Sequence, residues 1–178
     1  LVYSQWQTGN SIRTQELGFG LSAFSLLWTL NGALIFVGQP VIGLIARVLQ
    51  RAASQMMLGV ALLALAFGVL LTSDRYGIFV LSMVLLTFGE MLLWPVFPAS
   101  VAHLSPPSMR GRLQGFILSS GTIGRMIGPL LGGMLYDAFG YATQISVMTA
   151  GLVVPALAIL VYERTRRVAE AGVEPGDP

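Results

Sequence analysis

Two ionisable residues stand inside long apolar runs, and that is where chemistry is expected. Glu90 interrupts the stretch between Arg75 and Arg110, and Arg125 interrupts the one between Arg112 and Asp137. Placing such a group in hydrocarbon costs at least ~2.5 kcal/mol, so it is kept where it has work to do. Burial disfavours the charged form of a carboxyl, which is the property a proton carrier needs. Thr87, Glu90 and Trp94 fall at i, i+3 and i+7 and share one helix face, which can line a cavity. The plainer alternative for Glu90 is a structural acid paired with a neighbour. Arg125 keeps its charge under all ordinary conditions, so it must meet an anion, a carbonyl or water. It lies ~20 Å along its run by the helical rise, a depth similar to that of Glu90 on the preceding element. A Glu90–Arg125 pair is therefore expected, opened when Glu90 takes a proton. The alternative is that Arg125 holds an anionic substrate directly.

No catalytic residue is expected, and no cofactor or metal. The single histidine, His103, precedes a Pro106-Pro107 loop, and Ser119 and Ser120 lie deep in the next element, so a Ser–His pair would have to bridge depths. No H-x-x-x-H or paired-acid cluster offers metal ligands, and the chain has no cysteine. Residues Gly18 to Ala23 spell G-x-G-x-x-A, but they follow no strand pattern and open an apolar run, so the match is chance.

The elements that must position Glu90 and Arg125 are membrane spans. Of 178 residues, 54% are hydrophobic and only 10% charged, with a mean hydropathy of +0.75, against ~25% charge in an ordinary soluble domain. A disordered chain is excluded on that composition, and a soluble enzyme is not expected. All basic residues are arginine, with no basic stripe interleaved with aromatics, so nucleic acid is not an expected partner. About 20 apolar residues cross a bilayer, and charge-poor runs give spans at 20–46, 53–73, 77–103, 112–136 and 140–162, with a partial one at 1–11. Residues 59–71 carry no polar face, unlike a helix of a soluble bundle. The fold class is therefore an all-α membrane protein of five complete helices and one partial. Arg47, Arg51, Arg110, Arg112, Arg164, Arg166 and Arg167 fall on one side, leaving Arg13 and Arg75 on the other. The positive-inside rule puts the seven-arginine side and the C-terminus in the cytoplasm. Residues 168–178 have the composition of a disordered tail. The chain begins at Leu1 without an initiator Met, and is expected to be a piece of something longer.

Two segments share a spelling. Gln39-Pro40-Val-Ile-Gly43 and Gly128-Pro129-Leu-Leu-Gly132 lie 89 residues apart, half the chain, each near the end of a span. This is the trace expected of an inverted repeat of three helices plus three. Gly121, Gly124, Gly128, Gly132 and Gly133 lay a smooth strip for close helix packing, while Pro129 removes a hydrogen bond and permits a hinge. On the first full span, Trp28, Asn31 and Gln39 are candidates either for interhelical hydrogen bonds or for lining a substrate cavity with Thr87 and Trp94. Tyr3, Gln5, Trp6 and Gln7 at the N-terminus are further lining candidates.

Read together, Pro106 to Gly111 (P-x-x-x-R-G), Gly124 to Gly133 (G-x-x-x-G-P-x-x-G-G) and Gly133 to Gly140 (G-x-L-x-D-x-x-G) resemble the major facilitator superfamily of secondary transporters. The resemblance covers residues 1 to about 167. In that family's N-terminal half an arginine stands four residues before the glycine at Gly89. Leu85 stands there here, so the chain resembles the C-terminal half. Residues Gly89 to Pro98, with Asn31 and Gln39-Pro40, are most similar to bacterial drug-efflux branches. In one departure, Arg47 occupies the place of an acid in the family's loop, which weakens the expected latch between halves. The resemblance implies an antiporter of the bacterial inner membrane, exporting small, partly apolar compounds against protons by alternating access. Its partners would be the missing N-terminal half, membrane lipid, protons and a small-molecule substrate. Within that frame Glu90 would be the protonation site, Arg125 its partner, and Trp28, Asn31, Gln39, Thr87, Trp94 and Gln5 the lining. A transporter of a small, anionic metabolite and a truncated, non-transporting bundle are the alternatives.

Overall fold

A computed structural model describes residues 2–171, and among them every element is helical. In chain order these are α1 (Val2–Glu16), α2 (Gly20–Val37), α3 (Gln39–Val48), α4 (Ala52–Val69), α5 (Tyr76–Leu93), α6 (Val96–Leu104), α7 (Arg110–Gly151) and α8 (Val153–Ala171). Four stretches are long and apolar enough to cross a membrane: Gly20–Val37, Ala52–Val69, Tyr76–His103 and Arg110–Arg166. The last runs 57 residues, far beyond the ~20 that one crossing needs. Of the tail expected at 168–178, residues up to Ala171 complete α8, and residues 172–178 lie outside the described part.

Glycine and proline break the apolar runs that a charge count treats as continuous. The run at 20–46 turns at Gly38, and Pro40 opens α3, where a missing N–H costs nothing. The run at 77–103 turns at residues 94–95, where Pro95 stands as N-cap of α6. In α7 the backbone leaves helical geometry at Gly140, with φ 80°, a left-handed value that glycine tolerates and L side chains rarely adopt. Pro129, expected to be the hinge, sits inside regular helix. The two copies of the Pro-x-x-Gly spelling thus occupy different local structures: one opens a helix and the other is embedded in one.

Inside a bilayer lipid is as apolar as leucine, so helices associate through close packing and hydrogen bonds rather than hydrophobic burial. The α4–α5 pair shows the first device. Gly59 and Gly89 face each other so closely that a Cβ on Gly59 would lie 2.9 Å from the Gly89 carbonyl oxygen. Phe67, Phe79, Met83 and Leu86 fill the space beside that crossing and are fully buried. The second device threads through Trp6. Its Nε1 donates to Ser82 Oγ at 2.8 Å, and Ser82 Oγ donates to the Ala66 carbonyl at 2.6 Å, joining α1, α5 and α4. Tyr76 ties α5 to α2 by donating to the Ala23 carbonyl at 2.8 Å.

A polar cluster closes the end where α1 stops. Arg13 donates to Asp74 from Nε and Nη2, at 3.1 and 2.8 Å, and lies 3.3 Å from Glu16. Tyr136 donates to Glu16 at 2.5 Å and Tyr141 to Asn10 at 2.6 Å, and the Arg13 guanidinium lies 5.5 Å from the Tyr141 ring centroid. A hollow of about 470 Å³ beside the cluster is lined by Arg13, Asp74, Gly140 and Tyr141. Burial acts to lower the Arg13 value, but hydrogen bonds to Asp74 and Glu16 and the Asp74 charge outweigh it and hold the guanidinium above its ordinary range.

Candidate functional site

Glu90 belongs to the last turn of α5 and is 8% exposed. Its carboxylate is met from another helix. Asn31, buried on α2, donates from Nδ2 to Glu90 Oε1 at 2.6 Å, and the same nitrogen lies 2.9 Å from Thr87 Oγ1. Thr87 passes its own proton to the Met83 carbonyl at 2.7 Å, so its oxygen is turned to accept from Asn31. From α1, Tyr3 comes close to Glu90. The Tyr3 ring also meets Trp94 edge-on, centroids 5.6 Å apart, one turn beyond Glu90. The i, i+3, i+7 face of Thr87, Glu90 and Trp94 is thus assembled with Asn31 and Tyr3 into one polar and aromatic cluster.

The expected ion pair between Glu90 and Arg125 is not formed. Arg125 lies over the Trp94 ring, guanidinium carbon 6.0 Å from the centroid, and donates to Thr122 Oγ1 at 3.3 Å. Equal depth along two helices does not set the rotation of either side chain. Here the Trp94 indole takes the guanidinium while Asn31 meets the carboxylate. The two charges share a neighbour rather than each other.

Other residues named from the sequence are distributed differently. Trp28 packs edge-on against Trp6 and Phe24 and lines a separate hollow of about 370 Å³ with Gln7, Leu21 and Ser25. Gln39 is exposed at the start of α3, donating back to the Ile35 carbonyl at 3.1 Å, because the turn at Gly38 carries it out of the bundle. Gln5 is fully buried, but its amide is seated on the glycine strip of α7. It donates to the Gly128 carbonyl, and Gln144 Nε2 donates to Gln5 Oε1 at 3.3 Å. Gly128 and Gly132 form the floor of that seat, while Gly121 and Gly133 have nothing within 4 Å of where a side chain would begin. Arg47, Arg51, Arg110 and Arg112 all lie exposed at helix ends. Among the described residues no three acids or histidines gather as a metal site would require.

Gln144 and the Gly59–Gly89 crossing escape a reading of the sequence. A glutamine inside an apolar run is the same kind of outlier as Asn31 and would have marked the first. Nothing in one chain's spelling pairs the two glycines.

Residues 8–177 match the family model described as Major Facilitator Superfamily. The chain is 38% identical over 171 residues to the uncharacterized MFS-type transporter YttB of Bacillus subtilis, covering 96% of this chain and 43% of that protein. It is 26% identical to the uncharacterized MFS-type transporter YqjV of the same organism, over 75% of this chain and 32% of that one. It is 29% identical to a multidrug resistance protein B homolog of Mycobacterium tuberculosis, over 88% of this chain and 29% of that one. The chain spans less than half the length of each of these curated relatives.

Proposed function

This chain belongs to the major facilitator superfamily of transporters, and from that premise we propose that it is the C-terminal six-helix half of a proton-coupled exporter of small, partly apolar compounds. Glu90 is the proton carrier. The observation that carries this reading is a nearly buried carboxylate in the last turn of an apolar helix, held by Asn31 from another helix. Proton binding at such a site changes the hydrogen bond between two helices, which is what coupling a proton to a helix movement requires.

In this reading the spans at 1–11, 20–46 and 53–73 and those at 77–103, 112–136 and 140–162 form an inverted repeat of three plus three, and the half rocks against an N-terminal half about a midplane cavity. In this reading the break at Gly140 separates two crossings within the 57-residue apolar stretch, which gives five full spans and one partial. The arginines at the ends of α3 and α7 then face the cytoplasm of a bacterial inner membrane, by the positive-inside rule. The name of the mycobacterial relative supports efflux of more than one compound.

The test is Glu90→Gln in the native-length protein, reconstituted in proteoliposomes with an imposed pH gradient. Flux driven by the gradient is expected to vanish, and Glu90→Asp is expected to retain part of it. Coupling unchanged in Glu90→Gln would sink the proposal.

A further inference from the structure

The exposed charge here is that of Arg125, not of Glu90. Glu90 is nearly buried, and its Oε1 is already met by Asn31. Arg125 is exposed, with one bond to Thr122 at 3.3 Å, and among the described residues no carboxylate lies within ion-pair distance of it. A guanidinium carries five N–H donors in a planar fork matched to a carboxylate, and one is engaged here. A bare guanidinium is costly in hydrocarbon, so it belongs to a wet cavity with an anion to meet. Directly beneath it the Trp94 ring is 51% exposed, and the edge of Tyr3 fixes that ring in place.

A charged fork over a partly exposed aromatic ring recognises a molecule having both complements. Resting on the transport reading above, we propose that Arg125 and Trp94 form the substrate site and that the substrate is an aromatic carboxylate. Its carboxylate takes the free donors of Arg125 and its ring packs on the part of Trp94 that Arg125 leaves exposed. A cationic substrate on the same ring would meet the like charge of Arg125 and would find Glu90 nearly buried. A phosphate dianion would ask for more donors than one arginine supplies among otherwise apolar walls. Labour is then divided: Glu90 carries the proton and Arg125 holds the anion.

The experiment measures binding of 2-naphthoate, its neutral analogue 2-naphthamide and the cation tetraphenylphosphonium to the native-length protein in nanodiscs. Naphthoate is expected to bind about tenfold or more tightly than naphthamide, the scale of a lost charge-assisted bidentate contact. Arg125→Gln should erase that preference, Arg125→Lys should keep part of it as a point charge without the fork, and Trp94→Ala should weaken both naphthyl probes. Equal binding of the two naphthyl probes, or naphthoate affinity unchanged in Arg125→Gln, overturns the inference. The second result is the one an acidic residue covering Arg125 from outside the described residues would produce. Tetraphenylphosphonium displacing naphthoate and binding more tightly in Arg125→Gln also overturns it. Gradient-driven proton flux in proteoliposomes separates this from the transport reading. Coupling that persists while binding ignores Arg125 sinks the substrate class alone; Arg125-dependent binding without any proton coupling sinks the coupling alone.

Discussion

Asn31 makes the short polar contact to Glu90 and does so from a different helix, so its loss reaches both the carboxylate and the α2–α5 contact. A buried charged group deprived of a donor costs about 1–3 kcal/mol. Asn31→Leu should therefore lower the thermal midpoint in detergent clearly. Thr87→Val keeps shape and removes one neutral hydroxyl, for which about 0.5–1.5 kcal/mol is expected, so the ordering of the two midpoints is the test. Equal losses would mean that the Asn31–Glu90 bond carries no charge assistance. At this scale the sequence was informative about polarity and poor about azimuth. Glu90, Thr87 and Trp94 could be put on one face from spacing, and Asn31 could be named as a polar group on a neighbouring span. Which group meets which depends on helix rotation and on an intervening ring. That is why Trp94, and not Glu90, lies under Arg125.

At the scale of elements, α1 and α7 meet where a glutamine is let into a glycine groove. A Cβ on Gly132 would overlap the Gln5 amide and lie 2.9 Å from Gln144 Nε2, whereas one on Gly133 meets nothing within 4 Å. Overpacking of that kind costs about 1–3 kcal/mol. Gly132→Ala should destabilise the protein by that amount while Gly133→Ala does not, although the two residues are adjacent. Removing the amide with Gln5→Ala in the Gly132→Ala background should recover part of the loss, and a double-mutant cycle measures how much. Additive effects would show that the groove does not seat Gln5. The glycine strip was legible from the residues as a packing surface, and its partner was not, because nothing in the spelling of α1 points to α7. Charge-free windows likewise mark apolar stretches, of which four among the described residues are long enough to cross a membrane, and run through their interruptions. The turns at Gly38, at residues 94–95 and at Gly140 are written in glycine and proline, residues that a hydropathy count passes over.

For the whole molecule, the Arg13 cluster ties α1 to the α4–α5 connection and to both sides of the α7 break. The Arg13–Asp74 pair is partly exposed, and an exposed pair contributes about 0–1 kcal/mol, less in salt. Arg13 is held above its ordinary, already strongly basic range, so its contribution is complete below that range and is lost only as pH rises through the raised value. Stability should thus be indifferent to Arg13 ionisation between pH 7 and pH 9, and Arg13→Gln should cost little in high salt; a steep alkaline loss in that window, absent from Arg13→Gln, would refute this. The opposite face of α7 is left open. Ile123, Met126, Leu130 and Met134 are exposed along one side of α7 and Arg125 is exposed on the other, and apolar surface can face lipid whereas a guanidinium cannot do so cheaply. Together with relatives more than twice as long as this chain, this argues that a second bundle covers the Arg125 side in the working transporter. The intact mass of the natively expressed protein, captured through its C-terminus, should then be roughly twice 19.0 kDa or more. Gradient-driven flux should require the whole, with this chain alone inactive and activity returning when the preceding half is co-expressed. A native product of 19.0 kDa that transports as a single copy would overturn the two-half reading, and would require the Arg125 side to face water within one bundle.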